Sequence, residues 1–231
     1  MIGLLIEIII SWLLVWFLYK KDLSVLGIRP TKSRLANLSV GFLVAAICCC
    51  IYFFSISTFT NSSWLINKTF TAKDFLKGFW WTFNSVLYEE LIFRGVLLYI
   101  AIQKLGVRRA CILSAVAFGI YHWFVTGALG HPVQMAIVFF MTGIWGLMFA
   151  FAFAKTKSLY LPIGLHFGWN LMNIVIFSKG PLGHQLLISA GEEKVKGVLM
   201  TILFIFQIFA LPVLTYFYLG RKNKSHVLSA S

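Results

Sequence analysis

The chain is poor in charge and poorer still in acid. Of its 231 residues, 12% are charged, with seven Asp or Glu against twenty Lys or Arg. Soluble domains carry about 25% charged residues. With 60% of its residues hydrophobic, a water-soluble fold of this size would lack the polar surface to cover itself, so a bilayer must serve as much of the solvent. Cysteine is scarce too. Cys48, Cys49 and Cys50 are consecutive inside an apolar run and Cys111 stands alone, a spacing that suits neither a disulfide framework nor a zinc cluster. They read as small buried hydrophobes. No small-residue cleavage site follows the first apolar run, so it reads as a retained span rather than a signal peptide. No linker, repeat or low-complexity stretch divides the chain, and residues 1–231 read as a single domain.

What is plentiful is positive charge. A formal net charge of +13 would suit nucleic acid if the cations shared one face or one tail. They sit instead in short segments between apolar runs, the pattern that orients spans in a membrane. The expected partner is therefore the bilayer, and no nucleic acid is expected.

A spanning helix needs about 20 mostly apolar residues. Seven runs qualify, at 2–19, 35–57, 76–102, 110–126, 133–154, 158–178 and 198–219, which predicts an all-α, polytopic transmembrane bundle of about seven spans. Placing the N-terminus outside puts thirteen Lys and Arg on the inner segments. Lys68, Lys73, Lys77, Lys179, Lys194 and Lys196 then lie outside, and Arg94 lies within a span. The asymmetry predicts an outer N-terminus and a cytoplasmic C-terminus. The stretch 58–75 has room for an interfacial helix, and Glu7, near the outer end of the first run, is expected to reach the interface.

Ionisable side chains inside spans are costly, about 2.5 to 3.5 kcal/mol each on insertion scales, and mark function by default. The third run contains Tyr88-Glu89-Glu90-Leu91-Ile92-Phe93-Arg94-Gly95. Glu90 and Arg94 are four apart with the acid first, the favourable order for a pair on one helix face. Glu89 points about 100° away and is left for chemistry. The fourth run places Phe118 and His122 four apart, and the sixth does the same with His166 and Asn170. Counted from the inner ends at about 1.5 Å per residue, Glu89 lies roughly 20 Å deep, His122 roughly 18 Å, and His166 and Asn170 roughly 12 to 18 Å. Three helices thus bring polar groups to depths where they can meet.

Such a set suits amide hydrolysis without a covalent nucleophile. A carboxylate and a neutral imidazole can hold and deprotonate a water, and a second His with an Asn amide can donate to the oxyanion of a tetrahedral intermediate. A zinc site made of Glu89, His122 and His166, with water in the fourth position, uses the same residue types. No HExxH spacing supports it, but the residues alone leave both open.

The three motifs together resemble the CPBP family, the CAAX protease and bacteriocin-processing group also called the Abi family or type II CAAX endopeptidases. That family is marked by EExxxR, FxxxH and HxxxN or HxxxD on successive core helices. Here these are Glu89 to Arg94, Phe118 to His122, and His166 to Asn170, within a catalytic core of about 76–178. The resemblance implies an intramembrane endopeptidase of the glutamic type. In it Glu89 and His122 activate water, His166 and Asn170 form the oxyanion site, and Glu90, Arg94 and Phe118 are structural. It further implies a peptide or protein substrate approached from the cytoplasmic side, no cofactor, and a role in CAAX-type, bacteriocin or signal-peptide processing or in self-immunity. A prokaryotic plasma membrane is the expected location. Two other classes use the same residues. One is a non-proteolytic membrane partner or immunity scaffold. The other is a proton-coupled transporter, since buried Glu and His also form relays, but no inverted repeat or broken-helix signal supports it.

Overall fold

The computed structural model describes residues 2–177, 182–191 and 195–228, with side chains as far as Arg221. Lys179 and Lys194 of the charge count lie outside the described residues. The helices are α1 (Ile2–Tyr19), α2 (Lys32–Phe59), α3 (Ala72–Arg94), α4 (Val96–Leu105), α5 (Val107–Val125), α6 (Pro132–Thr156), α7 (Tyr160–Leu171) and α8 (Gly197–Leu228). A π-helical turn, 172–177, extends α7, and two three-residue strands, β1 (Trp64–Ile66) and β2 (Leu187–Ser189), form an antiparallel ribbon.

The all-α expectation holds. Among the described residues, five segments are long and apolar enough to cross a membrane: 2–19, 32–59, 132–156, 160–177 and 197–221. α3 and α5 have the length, 23 and 19 residues, but carry the acids, bases and His122 that lower their hydropathy. Ile2, Phe17, Val198 and Phe217 on α1 and α8 are more than 60% exposed. That is how an integral membrane protein presents itself to lipid rather than water.

Local signals explain the element ends. Thr71 and Asp74 form a reciprocal capping box at the start of α3, pairing backbone donors that would otherwise be orphaned. Pro132 opens α6, where its missing N–H is no loss. Thr31 caps α2 through the Arg34 amide.

Two expectations fail. The third run, 76–102, is not one helix. Gly95 leaves helical geometry with ψ of −134°, and a Cβ there would strike the Leu91 carbonyl. The break hides in the sequence because hydropathy continues through it and glycine is common in membrane helices. The stretch 58–75 holds β1 rather than an interfacial helix, paired with β2 through Trp64 and Ser189, Leu65 and Ile188, and Ile66 and Leu187.

Contacts between loops follow the seven-span alternation. β1 and β2 join the segment after α2 to the segment after α7, which share a side if those helices, the second and sixth spans, cross in the same direction. At the other end Ser158 donates to the Gly27 carbonyl at 3.0 Å and Leu159 N–H to the Leu26 carbonyl at 3.2 Å. Gly27 has φ of +64°, and a side chain there would collide with Lys157 and Ser158.

The closest helix packing lies between α2 and α7. A Cβ on Gly164 would strike the Leu38 carbonyl and one on Gly168 the Phe42 carbonyl, while Gly41 faces Leu161 and Leu165. Small residues let backbones approach where no hydrophobic drive holds helices together. The same logic holds at Gly146 of α6, which abuts Ala115 and Phe118 of α5.

Candidate active site

The polar residues of α3, α5 and α7 converge. Glu90 and Arg94 pair as their spacing predicts, Nη1 to Oε1 at 3.2 Å, with both side chains fully buried. Arg94 occupies the last position of α3, where the helix carbonyls favour a cation. Its guanidinium lies 4.0 Å from the centroid of the Phe118 ring and 4.9 Å from that of Phe149, so aromatic faces solvate part of a charge that water cannot reach. Gly95 ends the helix at this point, and Ser114 of α5 donates to the freed Phe93 carbonyl at 2.7 Å.

The sequence did not anticipate where His166 points. Its Nδ1 lies 2.8 Å from Glu90 Oε1, the oxygen that also accepts from Arg94. A carboxylate in an ion pair only accepts, so Nδ1 carries the hydrogen. Phe149 stacks on the ring at 4.9 Å. His122 is set in the same manner, with Nδ1 2.8 Å from the Phe118 carbonyl one turn earlier. A carbonyl only accepts, so this Nδ1 also bears hydrogen.

Both rings therefore turn Nε2 toward Glu89. Oε2 of Glu89 is 4.0 Å from Nε2 of His122 and 3.9 Å from Nε2 of His166. It is buried and makes no hydrogen bond to the protein. These separations are too long for direct hydrogen bonds and suit a water about 2.8 Å from each atom. Asn170 lines the same cavity of about 170 Å³, which reaches from Glu89 and His122 past Trp145 and Trp169 to Thr142 and Gln207. Its amide makes no hydrogen bond with His166 in spite of the four-residue spacing, and so remains available. All seven residues singled out in the sequence, Glu89, Glu90, Arg94, Phe118, His122, His166 and Asn170, thus fall in one cluster. Thr142 and Gln207 were missed. A lone amide in the apolar run 202–214 was the signal for Gln207.

Both carboxylate oxygens of Glu7 are buried without a hydrogen-bond partner in a groove beside Ser11 and Tyr88, separate from the cluster. A larger cavity of about 350 Å³ between α2, α7 and α8 is mostly apolar, with Thr215, Tyr218 and Arg221 in its wall, and holds neither acid nor histidine. The four cysteines are free, and Cys48, Cys49 and Cys111 are buried, as expected for small hydrophobes.

Residues 71–172 match the family described as type II CAAX prenyl endopeptidase Rce1-like. The match begins at the cap of α3 and ends after α7, and so contains the whole acid and histidine cluster. No curated protein and no solved structure matches the chain.

Proposed function

We propose, from the match of residues 71–172 to the type II CAAX prenyl endopeptidase Rce1-like family, a family of proteases, that this protein is an intramembrane endopeptidase whose nucleophile is a water held by Glu89. The single observation that carries this reading is the pair of 3.9 and 4.0 Å gaps between Glu89 Oε2 and the two Nε2 atoms, with each imidazole aimed by a fixed Nδ1 hydrogen.

The hydrogens assign the roles. Neutral His122 presents a lone pair at Nε2 and accepts one hydrogen of the water. Glu89 takes the other as the water oxygen attacks the scissile carbonyl carbon, and the carbonyl electrons move to its oxygen. Asn170 donates to that oxyanion. His166 can donate from Nε2 only as imidazolium, because its Nδ1–H is committed to Glu90. Protonated, it brings Glu89, Glu90, Arg94 and His166 to zero net charge, the state a low-dielectric site tolerates best. When the tetrahedral intermediate collapses, Glu89 returns its proton to the departing amine, so water is consumed and one acid and one amine are released.

The substrate class that fits is a membrane-associated peptide or protein, since the cleft opens among spans. The charge asymmetry favours an outer N-terminus, and entry from the cytoplasmic side in a prokaryotic plasma membrane is part of this proposal. A tetrahedral zinc with bonds of about 2.1 Å would draw the same three atoms to about 3.4 Å, closer than they stand. Water without metal is the reading these distances favour.

The test is cleavage of a peptide library, with prenylated and unmodified members, by the detergent-solubilised protein. Loss of cleavage in both Glu89→Gln and His122→Ala, unaffected by a chelator, is the expected result. Full activity in Glu89→Gln would sink the proposal. Loss on chelation with recovery on Zn²⁺ would turn Glu89, His122 and His166 into metal ligands. If cleavage is absent while the motif variants keep a cellular phenotype, the protein is a non-proteolytic partner or immunity scaffold.

A further inference from the structure

The cavity has a wall that lies outside the family match. Gln207 stands ten residues into α8, about 15 Å along its axis, in a run from Ile202 to Leu214 that is otherwise wholly apolar. It lines the same cavity as Glu89, His122, His166 and Asn170. A polar residue at such depth usually bonds to a neighbouring helix. Gln207 does not, because its carboxamide makes no hydrogen bond to the protein among the described residues. Its position is nevertheless fixed. Trp145 of α6 donates its indole N–H to the carbonyl of the next residue, Ile208, at 3.2 Å. The same indole packs edge-on against Trp169 at 4.8 Å.

A peptide brought to this depth carries main-chain N–H and C=O groups that hydrocarbon cannot satisfy. Glu89, His122, His166 and Asn170 are engaged with the water and the reacting carbonyl. A carboxamide offers one acceptor and one donor side by side, and the N–H and C=O of one extended residue point the same way, so the two can pair at two points. We infer that Gln207 binds the substrate's main chain beside the scissile bond, through its carbonyl to a substrate N–H and its amide hydrogen to a substrate C=O. α8 then contributes a substrate-binding residue to a site whose chemistry sits on α3, α5 and α7. The inference rests on the proteolytic reading above.

The test pairs enzyme and substrate changes in the full-length, detergent-solubilised chain. The probe is a quenched-fluorescent peptide ending in a prenylated cysteine followed by three residues. It is compared with versions in which each N–H flanking the scissile bond is replaced in turn by an ester oxygen. Wild type should lose about tenfold in kcat/KM on one ester peptide, the order of a hydrogen bond lost in a desolvated site. Gln207→Leu should be about tenfold poorer on the all-amide peptide, mainly through KM, and should no longer distinguish that ester. Gln207→Glu keeps the acceptor and the length, so it should retain the discrimination, which covers the case in which leucine prevents folding. Gln207→Leu that discriminates as wild type does, or Gln207→Glu that does not discriminate, overturns the inference while an inactive Glu89→Gln leaves the proteolytic reading intact. Active Glu89→Gln, or a wild type that cleaves none of these peptides, overturns the reading and the inference with it.

Discussion

Glu90 and His166 share a hydrogen at 2.8 Å, and the same carboxylate oxygen holds Arg94 at 3.2 Å. The second acid of the Glu89-Glu90 pair is therefore more than a counter-ion on its own helix. It is the joint between α3 and α7, and it aims His166 at Glu89. Two adjacent acids with unlike environments should respond differently to the same isosteric change.

Glu90→Gln leaves Arg94 buried without its counter-charge, and removing one partner of a buried ion pair costs about 3 to 5 kcal/mol. Glu89→Gln removes an oxygen that pairs with nothing in the protein, so its stability should stay within about 1 kcal/mol of wild type. Thermal unfolding in detergent should show a large drop for the first and little change for the second, with proteolysis lost in both. Equal destabilisation would refute the division of labour.

Phe118 serves the site twice, by its ring over Arg94 and by its carbonyl on His122. Phe118→Leu removes only the ring. It should cost about 1 to 2 kcal/mol of stability, the scale of a desolvated cation–π contact, and leave measurable cleavage because the carbonyl still orients His122. An inactive but fully stable Phe118→Leu protein would contradict this.

Gly168→Ala places a methyl group against the Phe42 backbone, which cannot yield as a side-chain tip can. Overpacking of this kind costs about 1 to 3 kcal/mol, and a displaced α7 carries His166 with it. Melting temperature and kcat should fall together. An unaltered melting temperature would mean that α2 and α7 can separate freely.

The orientation can be read by labelling. In a background with the four native cysteines replaced, Ser63→Cys, beside β1, should react with an impermeant maleimide added outside intact cells. Lys32→Cys, at the start of α2, should react only after permeabilisation. The reverse pattern would invert the N-outside assignment and move the charge-rich face out of the cytoplasm.

The site was legible in the sequence to the extent that its members are chemically out of place. Glu89, Glu90, Arg94, His122, His166 and Asn170 stand out because lipid has no use for them, and the Glu90–Arg94 pair followed from helical spacing alone. The Glu90–His166 bond was not legible, because it joins residues 76 apart across two helices. Spacing within a helix showed only that His166 and Asn170 share a face of α7. Gly95 escaped because hydropathy averages over a single residue, whereas its backbone departs sharply from the helix. The β1–β2 ribbon escaped because three-residue strands leave no period to detect.

The segment that matches the protease family starts at residue 71, after α2 has ended. Yet Gly164 and Gly168, one on either side of His166 along α7, rest on the α2 carbonyls of Leu38 and Phe42. The frontier of similarity and the frontier of folding are therefore different lines. A fragment trimmed to the matched residues would carry every acid and histidine of the cluster and lose the backrest that keeps one of them on target.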